Sequence, residues 1–507
     1  MNKTITRTAG GVIVATMIMA SIAGCGDANE RRLLKQLPED SQWWKDASEA
    51  VKQRGELPIN NGRAKNVILF IGDGMSIPTI TAARIFDGQS RGEDGESNSL
   101  SFGRMPYSAL VKTYTTDYQV PDSAGTASAM NTGVKTRSGV INVNETVAYG
   151  DCEKSLDNTL PTLAEFAKLR GKAVGVVTTA RVTHATPAAV YAHSPDRNWE
   201  SDGLMSAQAI RQGCVDIAAQ LVGFSYGGGI DVVLGGGSRE FLPANAGGNR
   251  KEDNLVLNWQ QRGGHFVASA KDMHKLDPSD KHPILGLFSH SHMTYMADRS
   301  DDSIEPTLSE MTAKAIDLLQ RRSRDGYYLM VEGARIDHAH HAGWAGRSLL
   351  ETQEFARAVQ VALDKVDLRD TLVLVTADHA HTLTMAGYPA RGNDILDWVH
   401  KADAEGKPQQ APALANDGKP YTTLAYANGK GAVKGERAVP ETGLFARQQA
   451  LIPTYSKTSE GEVRLSETHG GDDVALFAVG PKAHWVGGVM EQNEIFHIMA
   501  AAFGWQF

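Results

Sequence analysis

The chain has 507 residues and a formal net charge of −8 at pH 7, and its content of 41% hydrophobic and 22% charged residues is that of an ordinary globular protein. This length can build a large core, either in about three domains or in one large α/β domain with an insertion. The acidic balance and the absence of any lysine- and arginine-rich stretch exclude nucleic acid as the main partner.

The first 24 residues have the pattern of an export signal. Lys3 and Arg7 precede a short apolar segment, residues 10–23, which leads into Cys25. This ending resembles the lipobox of bacterial lipoproteins, in which the cysteine is lipidated, and plain secretion with cleavage nearby is the alternative. The segment is too short for a stable transmembrane helix. We therefore expect an exported protein, periplasmic or at the cell surface, with a lipid on Cys25 as its only membrane contact.

Export bears on the two remaining cysteines, Cys152 and Cys214. An even pair in an oxidising compartment favours a disulfide, and two buried free thiols are the alternative. By chain-entropy arguments, closing a loop of about 60 residues would stabilise the fold by roughly 4 kcal/mol.

Residues 25–63 form a mostly polar linker with one predicted amphipathic helix, residues 41–54. Trp43 and Trp44 lie on its apolar side, which indicates a helix that docks on its own domain or on a second subunit. We assign residues 64–507 to the main domain.

Apolar runs and amphipathic helical patterns alternate along the main domain. The runs are typical of strands buried on both faces of a parallel sheet. Helices are predicted over residues 307–321, where Thr307 and Glu310 form a capping box, and over residues 348–366. The alternation predicts a doubly wound α/β fold with a mostly parallel central sheet and helices on both faces. The predicted strands are residues 67–71, 173–178, 231–234, 327–331, 371–376 and 474–479.

Three carboxylates, Asp73, Glu332 and Asp378, stand at the carboxyl ends of predicted strands, where α/β sheets bind their ligands. Asp337 and His341 come soon after Glu332, and their i,i+4 spacing puts them on one face of a helix. Carboxylate with imidazole is typical of zinc, and carboxylate oxygen alone suits magnesium. A metal centre is therefore predicted at this edge. For the histidine-rich segment alone, an adventitious metal-binding patch is the alternative.

Ser123 is the candidate nucleophile. It comes after Pro121 and Asp122 and opens a run of small residues that can form a helix, so it would lie at a helix N-terminus, where free N–H groups favour an anion. A simple N-cap is the alternative for this residue alone. Because Ser123 does not lie in a Gly-x-Ser-x-Gly elbow and no histidine-based triad is evident around it, we expect activation by a metal that binds the serine as the alkoxide.

Several longer motifs occur in order along the chain. They are Ile71-Gly72-Asp73-Gly74-Met75, Pro121-Asp122-Ser123, Thr183-His184-Ala185-Thr186-Pro187, Asp196-Arg197-Asn198-Trp199, Val331-Glu332-Gly333, Asp337-His338, Ala377-Asp378-His379-Ala380-His381 and Glu467-Thr468-His469-Gly470. This set resembles that of the alkaline phosphatases, in particular the animal-type branch, over about residues 40–505. The fold expected from the resemblance is the same α/β sheet.

The resemblance implies hydrolysis of small phosphate monoesters through a phosphoserine at Ser123, with two zinc ions and one magnesium ion per chain. Arg197 would clamp the phosphate, His184 would lie near the magnesium-bound water, and His381 would orient a zinc ligand. The implied ligands are Asp337, His341 and His469 for the first zinc, Asp73, Asp378, His379 and Ser123 for the second zinc, and Asp73, Thr186 and Glu332 for magnesium.

Residues 388–465 interrupt the strand–helix alternation and are rich in glycine, proline and polar residues. They resemble the crown-like insertion that lies beside the dimer interface in animal-type members, where Tyr388 would reach toward the partner's active site. The helix with Trp43 and Trp44 resembles the family's N-terminal arm, which embraces the other subunit. The resemblance thus implies a homodimer.

The calcium region departs from the animal-type pattern. Animal-type enzymes hold calcium with acidic side chains and a carbonyl, but Ser289 stands where an acid is expected, and residues 238–250 have no matching glutamate after Glu240. Only Glu305 remains, and one carboxylate makes a poor calcium site. We therefore expect no calcium ion.

Three other functions account for less of the sequence than phosphate monoester hydrolysis does. A sulfatase needs a Cys/Ser-x-Pro-x-Arg segment, which Ser123 does not begin, and a phosphodiesterase has less use for an arginine that grips a dianion. A non-catalytic lipoprotein that binds phosphate or metal is the third alternative.

Three histidines lie outside the motifs. They have no partners at ligand spacing and are interpreted as surface or satisfied histidines: His193, His290 and His292.

Overall fold

A computed structural model describes residues 28–57, 59–433, 435–457 and 463–506. The signal segment and Cys25 lie outside the described residues, so export and lipidation stay predictions. The chain divides into two units, residues 1–58 and residues 59–507, and each is described by itself. Among the described helices, none combines the length and the apolar character needed to cross a bilayer.

The N-terminal unit contains two helices, α1 (Ala28–Leu34) and α2 (Gln42–Gly55). Helix α2 is the helix predicted over residues 41–54, and Ser41 is its N-cap residue. None of its residues is buried, and the side chains of Trp43 and Trp44 are 71% and 41% exposed. Docking of this helix on a second subunit stays a prediction.

The second unit holds the other described elements. Its strands are β1 (Asn66–Gly72), β2 (Tyr107–Lys112), β3 (Ala173–Arg181), β4 (Val232–Gly236), β5 (His265–Val267), β6 (Ile284–Leu287), β7 (Tyr327–Gly333), β8 (Thr371–Thr376), β9 (Ala380–His381), β10 (Leu383–Met385), β11 (Leu424–Asn428), β12 (Ala450–Ile452), β13 (Tyr455–Lys457), β14 (Val463–Leu465), β15 (His469–Gly470), β16 (Val474–Val479) and β17 (Val489–Glu491). Its α-helices are α3 (Ile77–Gln89), α4 (Ser123–Thr132), α5 (Cys152–Leu156), α6 (Leu163–Leu169), α7 (Ala185–Ala188), α8 (Ala207–Gln212), α9 (Ile217–Gly223), α10 (Leu255–Gln261), α11 (Ala270–Lys275), α12 (Leu308–Arg322), α13 (Arg335–His341), α14 (Ala345–Lys365) and α15 (Glu494–Phe503).

Ten of these strands form one sheet in the order β17-β2-β16-β8-β1-β7-β3-β4-β6-β5. The strands from β8 to β5 pair in parallel, and β16 is antiparallel to both of its neighbours, β2 and β8. Every residue of β1, β3, β7 and β8 is buried, as expected of central strands covered on both faces. The prediction of a mostly parallel α/β sheet is confirmed.

Two groups of helices cover this sheet. Helix α14 contacts both α3 and α12, and in a second set α4 contacts α6, α7 and α15. Both groups reach the same central strands: α14 and α15 both contact β1, and α12 and α6 both contact β3. Because a strand has only two faces, the helices lie on both sides of the sheet, which is the doubly wound arrangement.

All six predicted strands are present, most of them with ends shifted by one to three residues. The capping box at the start of α12 is also present, since Thr307 and Glu310 exchange hydrogen bonds with each other's backbone N–H. Four further strands of the sheet, β2, β5, β6 and β17, were not predicted as strands. Strand β2 has partly exposed residues between its buried ones, and the other three have only three or four residues each. Such segments carry little hydrophobic signal.

Cys152 and Cys214 form a disulfide, as predicted, with their Cα atoms 5.9 Å apart. Trp199, Met205 and Ala209 pack around it in a small separate hydrophobic cluster. The closed loop includes β3 and α7 and therefore carries several of the predicted site residues.

The segment predicted as an insertion has little regular structure. Strands β11 and β12 form a small sheet with β10, and β13 pairs with β14. Tyr388 has a φ angle of 60°, unusual for a residue with a side chain, and its side chain is 93% exposed. Its contact with a second subunit stays a prediction.

Candidate active site

Three adjacent strands bring the first set of carboxylates together. In the order β8-β1-β7, Ile71 pairs with Glu332 on one side and with Thr376 on the other. Asp73 comes directly after the end of β1, and Asp378 is the second residue after the end of β8, so the three acidic side chains meet at one edge of the sheet. All three residues are fully buried.

A short strand pair adds the histidines from distant parts of the chain. In the pairing of β9 with β15, His381 lies opposite His469. The rings of His379 and His469 stack with their centroids 3.6 Å apart. Helix α13 contributes Asp337 and His341 on one face, as their spacing predicted.

One cluster consists of Asp337, His341 and His469. The Nε2 atoms of the two histidines are 3.1 Å apart, and each lies 3.4 Å from Oδ1 of Asp337. Ligand atoms at about 2.0–2.1 Å from a tetrahedral zinc ion are separated by about 3.3 Å. The three atoms thus already have the spacing of zinc ligands.

A second cluster is centred on Nε2 of His379. This nitrogen lies 3.3 Å from Oδ1 of Asp73, 3.3 Å from Oδ2 of Asp378 and 3.2 Å from Oγ of Ser123. These distances again match the edges of a tetrahedral zinc site, which are about 3.3 Å. A zinc ion at this position would have the serine oxygen as a ligand.

Ser123 is the first residue of α4 and not its N-cap. The N-cap is Asp122, whose side chain accepts a hydrogen bond from the backbone N–H of Gly125. Ser123 therefore lies at a helix N-terminus, as predicted, where the dipole favours a negatively charged oxygen.

A third group offers oxygen ligands. Four buried oxygen atoms have no hydrogen-bond partner within the described residues. They are both carboxylate oxygens of Asp73, Oε1 of Glu332 and Oγ1 of Thr186. Buried polar atoms normally have a partner. Carboxylate and hydroxyl oxygens are what magnesium prefers, so these residues fit a magnesium ion.

The buried carboxylates repel one another. Burial, and then the charges of Asp378, Asp337 and Glu332, hold the pKa of Asp73 well above its usual range. Burial likewise raises the pKa of Glu332 to about 7 and raises that of Asp378. Divalent cations among these side chains would remove the repulsion and keep the carboxylates ionised.

His381 lies in the same group of potential ligands as Asp337, His341 and His469, and both of its ring nitrogens contact acids. Its Nε2 donates to Oδ1 of Asp337 at 2.6 Å, and its Nδ1 donates to Oε2 of Glu467 at 2.5 Å. Burial alone would lower the pKa of His381, but the two carboxylates outweigh it and raise the pKa to about 10. His381 thus contacts Asp337, the residue that the resemblance implies it orients, and the orienting role itself stays a prediction. Glu467 belongs to one of the family-like motifs, but no role was predicted for it.

Arg197 is held by Asp122, the residue that caps the helix of Ser123. One of its terminal nitrogens lies 2.8 Å from Oδ2 of Asp122, and the other lies 3.4 Å from Nε2 of His184. Burial lowers the pKa of Arg197, and the Asp122 carboxylate more than restores it, so the guanidinium stays charged. One acid therefore positions both the arginine and α4.

His292 is a satisfied histidine, as interpreted, because its ring nitrogens contact the backbone N–H and the guanidinium of Arg181. The interpretation that it has no partners at ligand spacing is wrong. Its ring lies in a cluster with His184 and His338, with centroid distances of 5.3 Å and 4.2 Å respectively, and contacts the guanidinium of Arg181. Burial lowers the pKa of all three histidines well below the usual range, so they are neutral. His184 and His338 are far from His292 in the sequence, and no local pattern connects them.

The two other histidines of that group behave as interpreted. His193 is satisfied, with Nε2 3.1 Å from Oε1 of Glu165 and Nδ1 3.1 Å from the carbonyl oxygen of Asn142. His290 is exposed.

The comparison with known sequences decides the family. The chain matches the model of the family described as Alkaline phosphatase over residues 64–505. The chain belongs to the alkaline phosphatase family. It is 40% identical over 503 residues to the tissue-nonspecific alkaline phosphatase isozyme of Homo sapiens, covering 95% of this chain and 92% of that protein. It is 41% identical over 487 residues to an alkaline phosphatase of Gadus morhua, covering 92% of this chain and 98% of that one.

Solved structures of alkaline phosphatases have the same fold. The enzyme from Thermus thermophilus superposes with a TM-score of 0.63 at 25% identity, covering 89% of this chain and 93% of that chain. A cold-active alkaline phosphatase from a psychrophilic Shewanella species gives a TM-score of 0.59 at 26% identity, covering 86% of this chain and 99% of the other. This alkaline phosphatase family member is accordingly a phosphomonoesterase.

The residues at the positions where animal-type members hold calcium already form hydrogen bonds within this protein. Glu305 accepts hydrogen bonds from the backbone N–H and the hydroxyl of Thr294 and lies 3.7 Å from Arg299. The hydroxyl of Ser289 donates to a neighbouring carbonyl oxygen. One carboxylate that is already hydrogen-bonded offers little to a calcium ion.

Replacing Glu467 by glutamine should weaken zinc retention by about 10–100-fold, the usual cost of losing a group that supports a metal ligand. The amide removes the charge that helps to keep His381 protonated and directed at Asp337. Zinc retained after dialysis against graded chelator concentrations measures the effect. The matched control is Glu165→Gln, which alters another buried glutamate paired with a histidine, outside the site. Equal zinc retention in wild type and Glu467→Gln would contradict the supporting role.

Proposed function

We propose that this enzyme hydrolyses phosphate monoesters through a phosphoserine formed on Ser123, with two zinc ions and one magnesium ion in the three ligand groups. The observation that carries the proposal is the position of the Ser123 hydroxyl, which shares the ligand-spaced second cluster with Asp73 and His379. A nucleophile that is itself a metal ligand needs no histidine base.

The ligand assignments rest on the three groups. The implied holders are Asp337, His341 and His469 for the first zinc, Asp73, Asp378, His379 and Ser123 for the second zinc, and Asp73, Thr186 and Glu332 for magnesium. When bound, two zinc ions stabilise the attacking and the leaving oxygen of an in-line displacement, and magnesium adds positive charge.

The protein's own groups supply orientation. Oγ of Ser123 is held at the start of α4, so attack on phosphorus occurs where the helix dipole favours the incoming charge. The guanidinium of Arg197 can grip two non-bridging oxygens of the dianion at once, a geometry that lysine cannot reproduce. Asp122 fixes both groups relative to each other. Such positioning and charge neutralisation are the main demands of phosphoryl transfer.

Purified protein assayed on a phosphate monoester, a phosphate diester and a sulfate ester tests the proposal. We expect monoester hydrolysis to dominate, to disappear on removal of metals by a chelator and to return when zinc and magnesium are added together. Preferential sulfate hydrolysis, or full activity after complete metal removal, would refute it.

Elemental analysis of dialysed protein should find two zinc ions and one magnesium ion per chain and no stoichiometric calcium. The physical reason is that Glu305 is the one acidic ligand kept from the animal-type calcium site, and its carboxylate is already hydrogen-bonded. Calcium retained at one ion per chain in wild type, and lost in Glu305→Ala, would show that the prediction is wrong.

Three further expectations concern where the enzyme acts and how it assembles. The N-terminal sequence pattern supports export with a lipid at Cys25, and the disulfide accords with an oxidising compartment. The exposed tryptophans of α2 and the exposed Tyr388 accord with a homodimer. If residues 388–465 act as a crown-like insertion, they would lie beside that interface.

A further inference from the structure

A group of three potential ligands lies outside the active site, on residues that the proposed function does not use. His265, Asp280 and His282 place one ligand atom each within 4.8 Å of one another. Nε2 of His265 lies 2.7 Å from Oδ2 of Asp280, and Nδ1 of His282 lies 2.6 Å from Oδ1 of the same carboxylate. Each carboxylate oxygen therefore has its own imidazole neighbour.

The backbone holds these three residues in place. His265 begins β5, at the edge of the large sheet, and its N–H donates to the carbonyl oxygen of Pro283 at 2.8 Å. The N–H of His282 donates to Oδ1 of Asp280 at 2.9 Å, which closes a tight turn. The guanidinium of Arg322, on α12, donates to the carbonyl oxygens of residues 281 and 282. The ligands thus project from anchored segments.

We propose that His265, Asp280 and His282 bind a divalent transition-metal ion of the zinc type. Two imidazoles and one carboxylate are a common ligand set for such ions and leave positions open for water. Ligand atoms around zinc lie about 3.3 Å apart, so the present pairs must separate by about 0.6 Å. Both imidazoles are largely exposed, at 46% and 62% of the side chain, and can rotate to make this change.

The alternative is a pair of surface hydrogen bonds between histidines and an acid, which would be worth little. The two cases differ in chemistry. A metal ion would connect edge strand β5 to the turn at residues 280–282, whereas hydrogen bonds alone would create no affinity for an added ion.

Zinc titration of the full-length enzyme, with its catalytic metal sites already filled and free metal removed, tests the site. Wild type should bind one more zinc ion per chain than His282→Ala and Asp280→Asn. We expect each variant to lose at least about 10-fold in affinity for this ion, because even the loss of a supporting partner costs that much. Zinc should also slow amide hydrogen exchange in β5 of wild type and not in the variants.

The control is His274→Ala, which removes an exposed imidazole that lies 3.6 Å from one carboxylate, that of Glu310. It should bind the additional zinc ion as wild type does. Equal zinc binding by wild type and His282→Ala, or loss of the ion in His274→Ala, would overturn the assignment. The readout is metal stoichiometry, so it does not depend on whether Ser123 is the nucleophile.

Discussion

Replacing Ser123 by alanine should abolish the phosphoenzyme and lower turnover of phosphate monoesters by on the order of 10³-fold or more, as expected when a nucleophile is deleted from a group of residues that act together. The substitution removes the oxygen that lies 3.2 Å from Nε2 of His379. The fold should persist, because the buried hydroxyl is small and Asp122, not Ser123, caps α4.

The measurement is trapping of radiolabelled phosphate at low pH, and then peptide mapping. Ser128→Ala is the matched control, since it deletes a hydroxyl that is buried on the same helix and bonded to the carbonyl oxygen of Ala124. The control should keep the label at Ser123. Label on another residue of the wild type would show that the nucleophile is misassigned.

Arg197→Ala should raise the inhibition constant for inorganic phosphate about 30-fold to 900-fold. This range corresponds to about 2–4 kcal/mol for the loss of a charged, two-pronged hydrogen-bonded contact. The substitution also leaves the buried carboxylate of Asp122 without its cation, which adds repulsion against the phosphate dianion.

Arg197→Lys separates charge from shape, because lysine keeps the positive charge and loses the planar fork. We expect it to fall between wild type and Arg197→Ala in phosphate affinity. An inhibition constant unchanged in the alanine variant would contradict the clamp, and equal affinity of the lysine variant and wild type would contradict its bidentate form.

Much of the site could be predicted because the end of a strand fixes the position of the residues that come directly after it. Asp73, Glu332 and Asp378 had to lie at the same edge once their strands were predicted to be parallel, whereas the adjacency of the three strands is seen only in the structure. The spacing of Asp337 and His341 had to put them on one face of α13. The assignment of histidines to particular metals came from resemblance alone and stays a proposal, with which the observed spacings agree.

Other contacts could not be predicted, since they depend on how loops pack. Glu467 reaches His381 only because β15 pairs with β9. His292 joins His184 and His338 because the loop after β6 folds back over β3, where the N–H of Met293 donates to the carbonyl oxygen of Thr179. Neither contact has a helix or strand period, so no local pattern in the sequence could indicate it.

The place of β16 in the sheet has a consequence for how the protein is made. This strand comes from the last 34 residues of the chain, 474–507, yet lies between β2 and β8. Until it emerges during synthesis, β8 is an apolar edge strand without a partner on that side, and β2 has no place in the sheet. Exposed edges of this kind favour aggregation. The nascent chain should therefore depend on chaperones until it is complete, and C-terminal truncations should be insoluble rather than merely inactive.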